Sequence, residues 1–294
     1  MTPRALFIVN PRSRRGKEHS QDVRRRLVEL GLDLVTGEAG SKQDPSDLIQ
    51  RYRGEIDRVV VAGGDGSLNS VLQGMVGTGL PLAIIPLGTA NNLARTLDIP
   101  LALPEACEVA VRGARRRIDL GQVNDRYFLT TASLGLSVKI TEALTSKTKR
   151  RWGPLAYGVA SVRALTRSRA FHADISWPGG RRHSRTVQIV VGNGRYYGSA
   201  LAVAADATID DARLDLYSLE VRHWVEILTL VPSLRSGRHG RKDRVEALRA
   251  TEFEITTVVP REINVDGEIC EATPARFRVV PGALEVFAPV SGSK

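Results

Sequence analysis

The stretch Arg58-Val59-Val60-Val61-Ala62-Gly63-Gly64-Asp65-Gly66-Ser67 decides how the first half of the chain is read. A short β-branched run bounded by glycine predicts a buried strand. The residues that follow, Leu68–Val76, have helical spacing. Glycines between strand and helix let the backbone turn sharply and approach a ligand. The N–H groups of such a turn, together with the helix N-terminus, favour an anion, typically phosphate. The same residues also read as a plain β-to-α turn in which Asp65 caps the helix, and glycines alone do not separate the two. Two phosphate-loop classes are excluded. The chain contains no G-x-x-x-x-G-K-[ST], and Asn69 stands where the third glycine of G-x-G-x-x-G belongs.

Outward from this loop, strand and helix patterns alternate. Strands are predicted at Ala5–Val9, Leu32–Thr36 and Leu82–Ile85, and helices at Ser20–Leu30 and Asp44–Tyr52, the latter with Pro45 in its first turn. This alternation predicts an α/β domain with a parallel sheet and helices on both faces. The character changes near Arg117–Asp119. Beyond it come β-rich runs at Tyr127–Thr131, Ala173–Trp177, Thr186–Val191, Ala200–Ala204, Leu214–Leu219, Glu252–Val259, Glu262–Val265, Ala275–Val280 and Leu284–Phe287. Gly, Pro and Asp/Asn turns separate them, as in an antiparallel β-sandwich or barrel. Helical insertions are expected at about 154–166 and 223–233. The expected domains are 1–120, joined by a C-terminal strand at about 284–294, and 121–283, with a cleft between them.

The chain has 294 residues, of which 42% are hydrophobic and 25% charged, the balance of a folded globular protein. Its formal net charge of +10 points to a polyanionic partner: nucleotide phosphates, nucleic acid or an anionic membrane surface. Aromatic residues are only 5%, and no RRM, KH or helix-turn-helix signature occurs, which counts against nucleic acid. Cys107 and Cys270 lie far apart without a C-x-x-C spacing, so a disulfide scaffold and a thiolate zinc site are not expected and the cytoplasm is the default. The long uncharged stretch Ser67–Ala94 holds four glycines and two prolines and makes a poor membrane span. The five histidines show no metal-ligand spacing.

A second segment sharpens the reading. Pro86-Leu87-Gly88-Thr89-Ala90-Asn91-Asn92-Leu93-Ala94-Arg95 follows the next buried strand. Loops at the carboxyl ends of neighbouring parallel strands share one crevice, where ligands bind. With the G-G-D-G-S loop, this segment resembles the diacylglycerol kinase-like lipid kinases, which carry G-G-D-G-[ST] and then P-x-G-T-x-N-[DN]-[FL]-A-R. Further matches run in order: Asn10-Pro11, Gly153-Pro154-Leu155-Ala156-Tyr157, Gly192–Gly198, Asp206–Asp215 and Asp266-Gly267-Glu268. Three departures stand out. Asn92 replaces an aspartate common in the family, Gly198-Ser199-Ala200 replaces a glycine triplet, and Ala212 replaces a glycine. Asn92 cannot supply a charge, and Ala212 argues against a turn with positive φ.

The resemblance implies Mg²⁺-dependent transfer of the ATP γ-phosphoryl group to a lipid hydroxyl. Gly63, Gly64, Asp65, Gly66, Ser67, Leu68 and Asn69, with Thr36, Thr89 and Asn91, are the implied nucleotide contacts. Asp65 is the implied carboxylate for Mg²⁺-bound phosphate. Glu268 is the implied proton acceptor, with Asp266 close behind it; read alone, Asp-Gly is equally a hairpin-turn signal. Thr208, Asp211 and Arg213 match a second, structural Mg²⁺ site. The lipid stays open among diacylglycerol, sphingoid bases, ceramide and phosphatidylglycerol. An NAD kinase-like soluble-metabolite kinase shares the G-G-D-G loop, although T-A-N-N-L-A-R fits the lipid kinases better. Lys147, Lys149, Arg150 and Arg151 beside Trp152, and the run Arg235–Arg244, suit an anionic bilayer or simply a solvated face. The expected location is cytoplasmic, peripheral at the inner face of the membrane. The sequence does not address oligomeric state.

Overall fold

The computed structural model describes residues 2–9, 14–36, 44–143, 169–194, 196–197, 201–202, 208–220 and 245–290. The chain divides into two compact units, 1–120 with 280–294, and 121–279. In the first unit, strands and helices alternate as β1 (Arg4–Val9), α1 (Arg14–Glu29), β2 (Asp33–Thr36), α2 (Pro45–Tyr52), β3 (Arg58–Gly63), α3 (Asp65–Met75), β4 (Leu82–Pro86), α4 (Asn92–Thr96), α5 (Leu103–Arg112) and the start of β5 (Ala114–Val123). Strands β2, β1, β3 and β4 pair in that order, all parallel. Every residue of β3 and β4 is buried, as expected for central strands covered on both faces. Helix α1 packs with α5, and α2 with α3. The α2 start follows its sequence signals: Asp44 accepts the Ser46 amide at 2.9 Å and Pro45 opens the first turn. Buried Arg58 donates to the carbonyls of Ala110 and Val111 at the end of α5 and lies over the Phe287 ring.

The second unit contains β6 (Arg126–Phe128), β7 (Thr131–Gly135), α6 (Leu136–Ala143), β8 (Phe171–Trp177), β9 (Gly180–Thr186), β10 (Gln188–Gly192), β11 (Tyr196–Tyr197), β12 (Leu201–Ala202), β13 (Leu214–Leu219), β14 (Val245–Ala250), β15 (Glu252–Thr257), β16 (Glu262–Val265), β17 (Glu268–Ala272) and the first part of β18 (Ala275–Ala288). One antiparallel layer runs β14-β13-β10-β7-β16-β17, and β18, β15, β8 and β9 pair antiparallel in another. Between them lies one buried cluster that includes Phe128, Leu134, Ile189, Leu216, Phe253, Ile255, Ile263 and Phe277. This is the sandwich that the alternating runs predict. The last part of β18 runs parallel to β4, with Val286 opposite Leu82.

Four readings are corrected. Helix α3 begins at Asp65, so Gly64 is the cap and Asp65 is already the first helical residue. The runs Ala275–Val280 and Leu284–Phe287 are one fourteen-residue strand that passes through Pro281-Gly282. Tyr127–Thr131 and Thr186–Val191 each straddle two strands, β6 with β7 and β9 with β10. Helices α5 and α6 and strand β14 occur where no element is predicted. The expected helices at 154–166 and 223–233 lie outside the described residues. Both cysteines are free, and burial pushes the Cys107 thiol up to about 11, far from a reactive thiolate.

Candidate active site

In the first unit, two loops at the carboxyl ends of β3 and β4 meet backbone to backbone. A Cβ built on Gly64 would lie 2.8 Å from the Gly88 Cα, and one on Gly88 would lie 2.5 Å from the Gly64 Cα. Only glycine at both positions permits this approach. The Leu87 amide donates to the Gly63 carbonyl at 2.9 Å and joins the loops further. Asn91 closes the second loop from a left-handed backbone at φ 50°. Its Oδ1 accepts from the Gly88 amide at 2.9 Å, and its Nδ2 donates to the Gly88 carbonyl at 3.0 Å. Asparagine suits that position because its short side chain bonds locally and tolerates positive φ.

Asp65 belongs to both loops: it opens α3, and its Oδ1 accepts the Leu93 amide at 3.4 Å. The amides of Ser67 and Leu68 are spent on the Gly64 carbonyl, and the Leu68 side chain is buried. The N–H groups before them open the helix, where positive partial charge gathers. Asn69 lies one turn beyond Asp65 on the same helix face. It is 2% exposed, yet among the described residues neither its Oδ1 nor its Nδ2 has a hydrogen-bond partner; the Oδ1 of Asn92 is buried and equally unpartnered. Buried polar atoms are seldom left unpaired, so these three leave hydrogen-bonding capacity unused next to the two loops. Thr89 is exposed on the second loop, and Thr36 ends β2, opposite Phe7 of β1.

In the second unit, Asp266-Gly267 is the two-residue turn between β16 and β17, with Val265 opposite Glu268. Both turn residues have positive φ, 47° and 99°, as a type I′ hairpin requires. The two carboxylates flanking Gly267 have different surroundings. Asp266 accepts from the Leu129, Thr130 and Thr131 amides at 2.6, 3.0 and 3.0 Å and from the Thr130 hydroxyl at 2.5 Å. Burial pushes its carboxyl above the usual range, and the four hydrogen bonds pull against that rise. Its lone pairs are committed to the 129–131 backbone. The Glu268 side chain is more than half exposed, and among the described residues its one polar contact is from Arg126 Nη2 to its Oε2 at 2.8 Å.

These two units match two family models. Residues 4–123 match the diacylglycerol kinase catalytic domain, and residues 130–288 match the YegS C-terminal NAD kinase beta sandwich-like domain. The chain belongs to the diacylglycerol kinase-like lipid kinase family. Among its relatives is a Yersinia enterocolitica protein named "Probable lipid kinase YegS-like", 30% identical over 98% of this chain and 97% of that one. A Staphylococcus saprophyticus diacylglycerol kinase is 28% identical over 98% of this chain and 96% of its own. An uncharacterized Synechocystis protein is also 28% identical, and there the match spans 66% of the relative's length. A crystal structure of a Bacillus anthracis diacylglycerol kinase superposes with a TM-score of 0.81, covering 99% of both chains at 21% identity.

A third predicted site lies on another turn of this lipid kinase. Asp211 Oδ1 accepts the Arg213 amide at 3.1 Å across Ala212, and Thr208 is exposed nearby in sequence. Ala212 adopts φ 55°, so the turn takes the left-handed conformation that its side chain argues against. That conformation costs an L-residue about 1–2 kcal/mol. Ala212→Gly is therefore expected to stabilise the kinase by about 1 kcal/mol, read as a rise of about 2–4 °C in thermal midpoint. An unchanged or lower midpoint would remove the strain argument. Among the described residues, no group of His, Cys, Asp or Glu has metal-centre geometry. The predicted basic cluster Lys147, Lys149, Arg150, Arg151 and Trp152, the Gly153–Tyr157 match and the run Arg235–Arg244 lie outside the described residues.

Sequence reading misses one residue of this arrangement and one structural carboxylate elsewhere in the first unit. Arg126, the partner of Glu268, follows the Asn124-Asp125 turn and carries no local signal of that contact. Asp119 is 4% exposed and accepts the Gly282 amide at 2.8 Å. A carboxylate between Ile118 and Leu120 in an apolar run is the signal that would have found it.

Proposed function

We propose that this lipid kinase transfers the γ-phosphoryl group of ATP to a hydroxyl of a membrane lipid, with diacylglycerol as the leading acceptor. The observation that carries the reading is the fused Gly64–Gly88 loop, bridged by Asp65 and followed on α3 and α4 by the unpartnered polar atoms of Asn69 and Asn92. Oxygen and amide donors beside a carboxylate fit a hydrated Mg²⁺ and phosphate oxygens. The N–H groups opening α3 hold phosphate, Thr36, Thr89 and Asn91 shape the rest of the nucleotide site, and Asp65 orients the cation. Bound Mg²⁺ neutralises developing charge on the phosphates. Glu268 takes the proton of the acceptor hydroxyl, and Asp266 fixes the turn that carries it. The Asp211 turn, with one carboxylate and the Thr208 and Arg213 backbones, offers the hard oxygen donors a second, structural cation prefers.

A net charge of +10 favours docking on an anionic bilayer, peripherally at its cytoplasmic face. No described helix is long and apolar enough to cross a membrane. The deciding experiment incubates purified protein with γ-labelled ATP, Mg²⁺ and a total lipid extract, with NAD in a parallel arm. Labelled phosphatidic acid supports the diacylglycerol reading. A labelled sphingoid base, ceramide or phosphatidylglycerol product reassigns the acceptor, and label in NAD alone refutes lipid kinase activity.

The loop itself can be tested by Gly88→Ala. The new Cβ would stand 2.5 Å from the Gly64 Cα and 2.6 Å from Asn91 Oδ1, so the two loops must part. Overpacking of this kind costs about 1–3 kcal/mol, or roughly 5–150-fold in ATP affinity if the loops must close again on the nucleotide. Titration of ATP into the variant measures it, and unchanged affinity would place the nucleotide elsewhere.

A further inference from the structure

Two hairpin turns of the second unit are tied together beside Glu268. Arg126 is the first residue after the Asn124-Asp125 turn, and Glu268 the first after Asp266-Gly267. Their side chains form the 2.8 Å contact between Nη2 and Oε2. A second rung joins the same elements, from Asn124 Nδ2 to Glu271 Oε2 at 2.7 Å. Asn124 is itself locked on β18, donating to the Arg276 carbonyl at 2.8 Å and accepting the Arg276 amide at 3.1 Å. Just beyond β6, Asp266 grips the 129–131 backbone. The backbones on both sides of the Arg126–Glu268 contact are therefore fixed by bonds that do not involve it.

We propose that Arg126 is a positioning residue for Glu268, holding its Oε2 so that Oε1 faces the acceptor hydroxyl. The inference rests on the reading of Glu268 as the base. An exposed glutamate samples several rotamers, and a general base must reach hydrogen-bond distance of its proton. Among the described residues, Oε1 has no partner, so one oxygen anchors and the other works. In the step, the acceptor O–H bond breaks and its proton passes to Oε1. The hydroxyl oxygen bonds to the γ-phosphorus of the nucleoside triphosphate, whose bond to the bridging oxygen breaks to release the diphosphate. The other ionisable groups close to this turn are Asp266, Cys270 and Glu271.

A purely structural role explains the contact less well. The Arg126 side chain is 31% exposed and that of Glu268 55%, and pairs this exposed contribute little to stability. Removing the guanidinium should therefore leave a folded protein.

The test compares initial rates for Arg126→Gln, Arg126→Lys, Glu268→Gln and the double variant Arg126→Gln/Glu268→Gln, each checked for an unchanged melting curve. Arg126→Gln is expected to lower kcat roughly 10–100-fold, the scale of a misplaced reacting group, while KM for ATP stays within about twofold. Arg126→Lys restores most of kcat, because one N–H donor suffices for a single contact. In the Glu268→Gln background, Arg126→Gln adds no further loss, since residues acting through one another are non-additive. Near-normal kcat in Arg126→Gln, no rescue by Lys, or full additivity overturns the proposal while leaving the base reading intact. High activity in Glu268→Gln overturns both.

Discussion

Asp65→Asn is expected to lower turnover by on the order of 10²–10³-fold or more, and to weaken Mg·ATP binding, in a protein that stays folded. The substitution is nearly isosteric and keeps an oxygen where Oδ1 accepts the Leu93 amide, so the link between the two loops survives. What it removes is a negative charge in the first turn of α3. Against the helix dipole that charge is worth only about 0.3–1 kcal/mol, too little to unfold the domain. For phosphoryl transfer it matters far more, because catalysis there is almost wholly positioning and charge neutralisation around metal-bound phosphates. Asn69 and Asn92 bring dipoles and no charge, so neither replaces it. The measurements are kcat with labelled ATP and calorimetric titration of Mg·ATP. Near-normal activity in the purified variant would sink the assignment of Asp65.

The sequence was most legible where both faces of an element are buried. VVVA and LAII are apolar throughout because β3 and β4 are covered on both sides; Gly63 ends the first and Pro86 the second. The start of α3 was obscured by the residues that make the loop useful: Gly64-Asp65-Gly66 reads as a turn, yet Asp65 and Gly66 are already helical. Strand β9, GRRHSRT, carries no apolar alternation, because its inward residues Ser184 and Thr186 are polar and satisfied by hydrogen bonds. Pro281-Gly282 reads as a break, but the chain bends there at φ 58° and stays in the strand, with the Gly282 amide held by Asp119. At the candidate site, the glycines and Asn91 are legible because local backbone geometry demands those residues. The contact between Arg126 and Glu268 is not, since it joins positions 142 residues apart and leaves no local pattern. The Asp-Gly pair illustrates a false choice: its hairpin reading is correct, and the turn is what presents Glu268.

Glu268→Gln is expected to lower kcat by roughly 10²–10⁴-fold with nucleotide affinity nearly unchanged, the range a general base contributes. Glutamine keeps an oxygen to accept from Arg126, and the residue is exposed, so folding should be untouched. Asp266→Asn makes the opposite kind of variant. Asp266 takes four hydrogen bonds and donates none from its side chain, so an amide NH₂ there would face the donors of Leu129 or Thr130–Thr131. A buried donor left unsatisfied costs about 1–3 kcal/mol. Asp266→Asn should therefore lose activity together with thermal stability, whereas Glu268→Gln loses activity alone. Melting curves and single-turnover rates on the two variants separate a carboxylate that holds the turn from one that takes the proton. If Glu268→Gln keeps most of its activity while Asp266→Asn melts normally and is inactive, the two roles are reversed, and the committed lone pairs of Asp266 would have to be released when the acceptor binds.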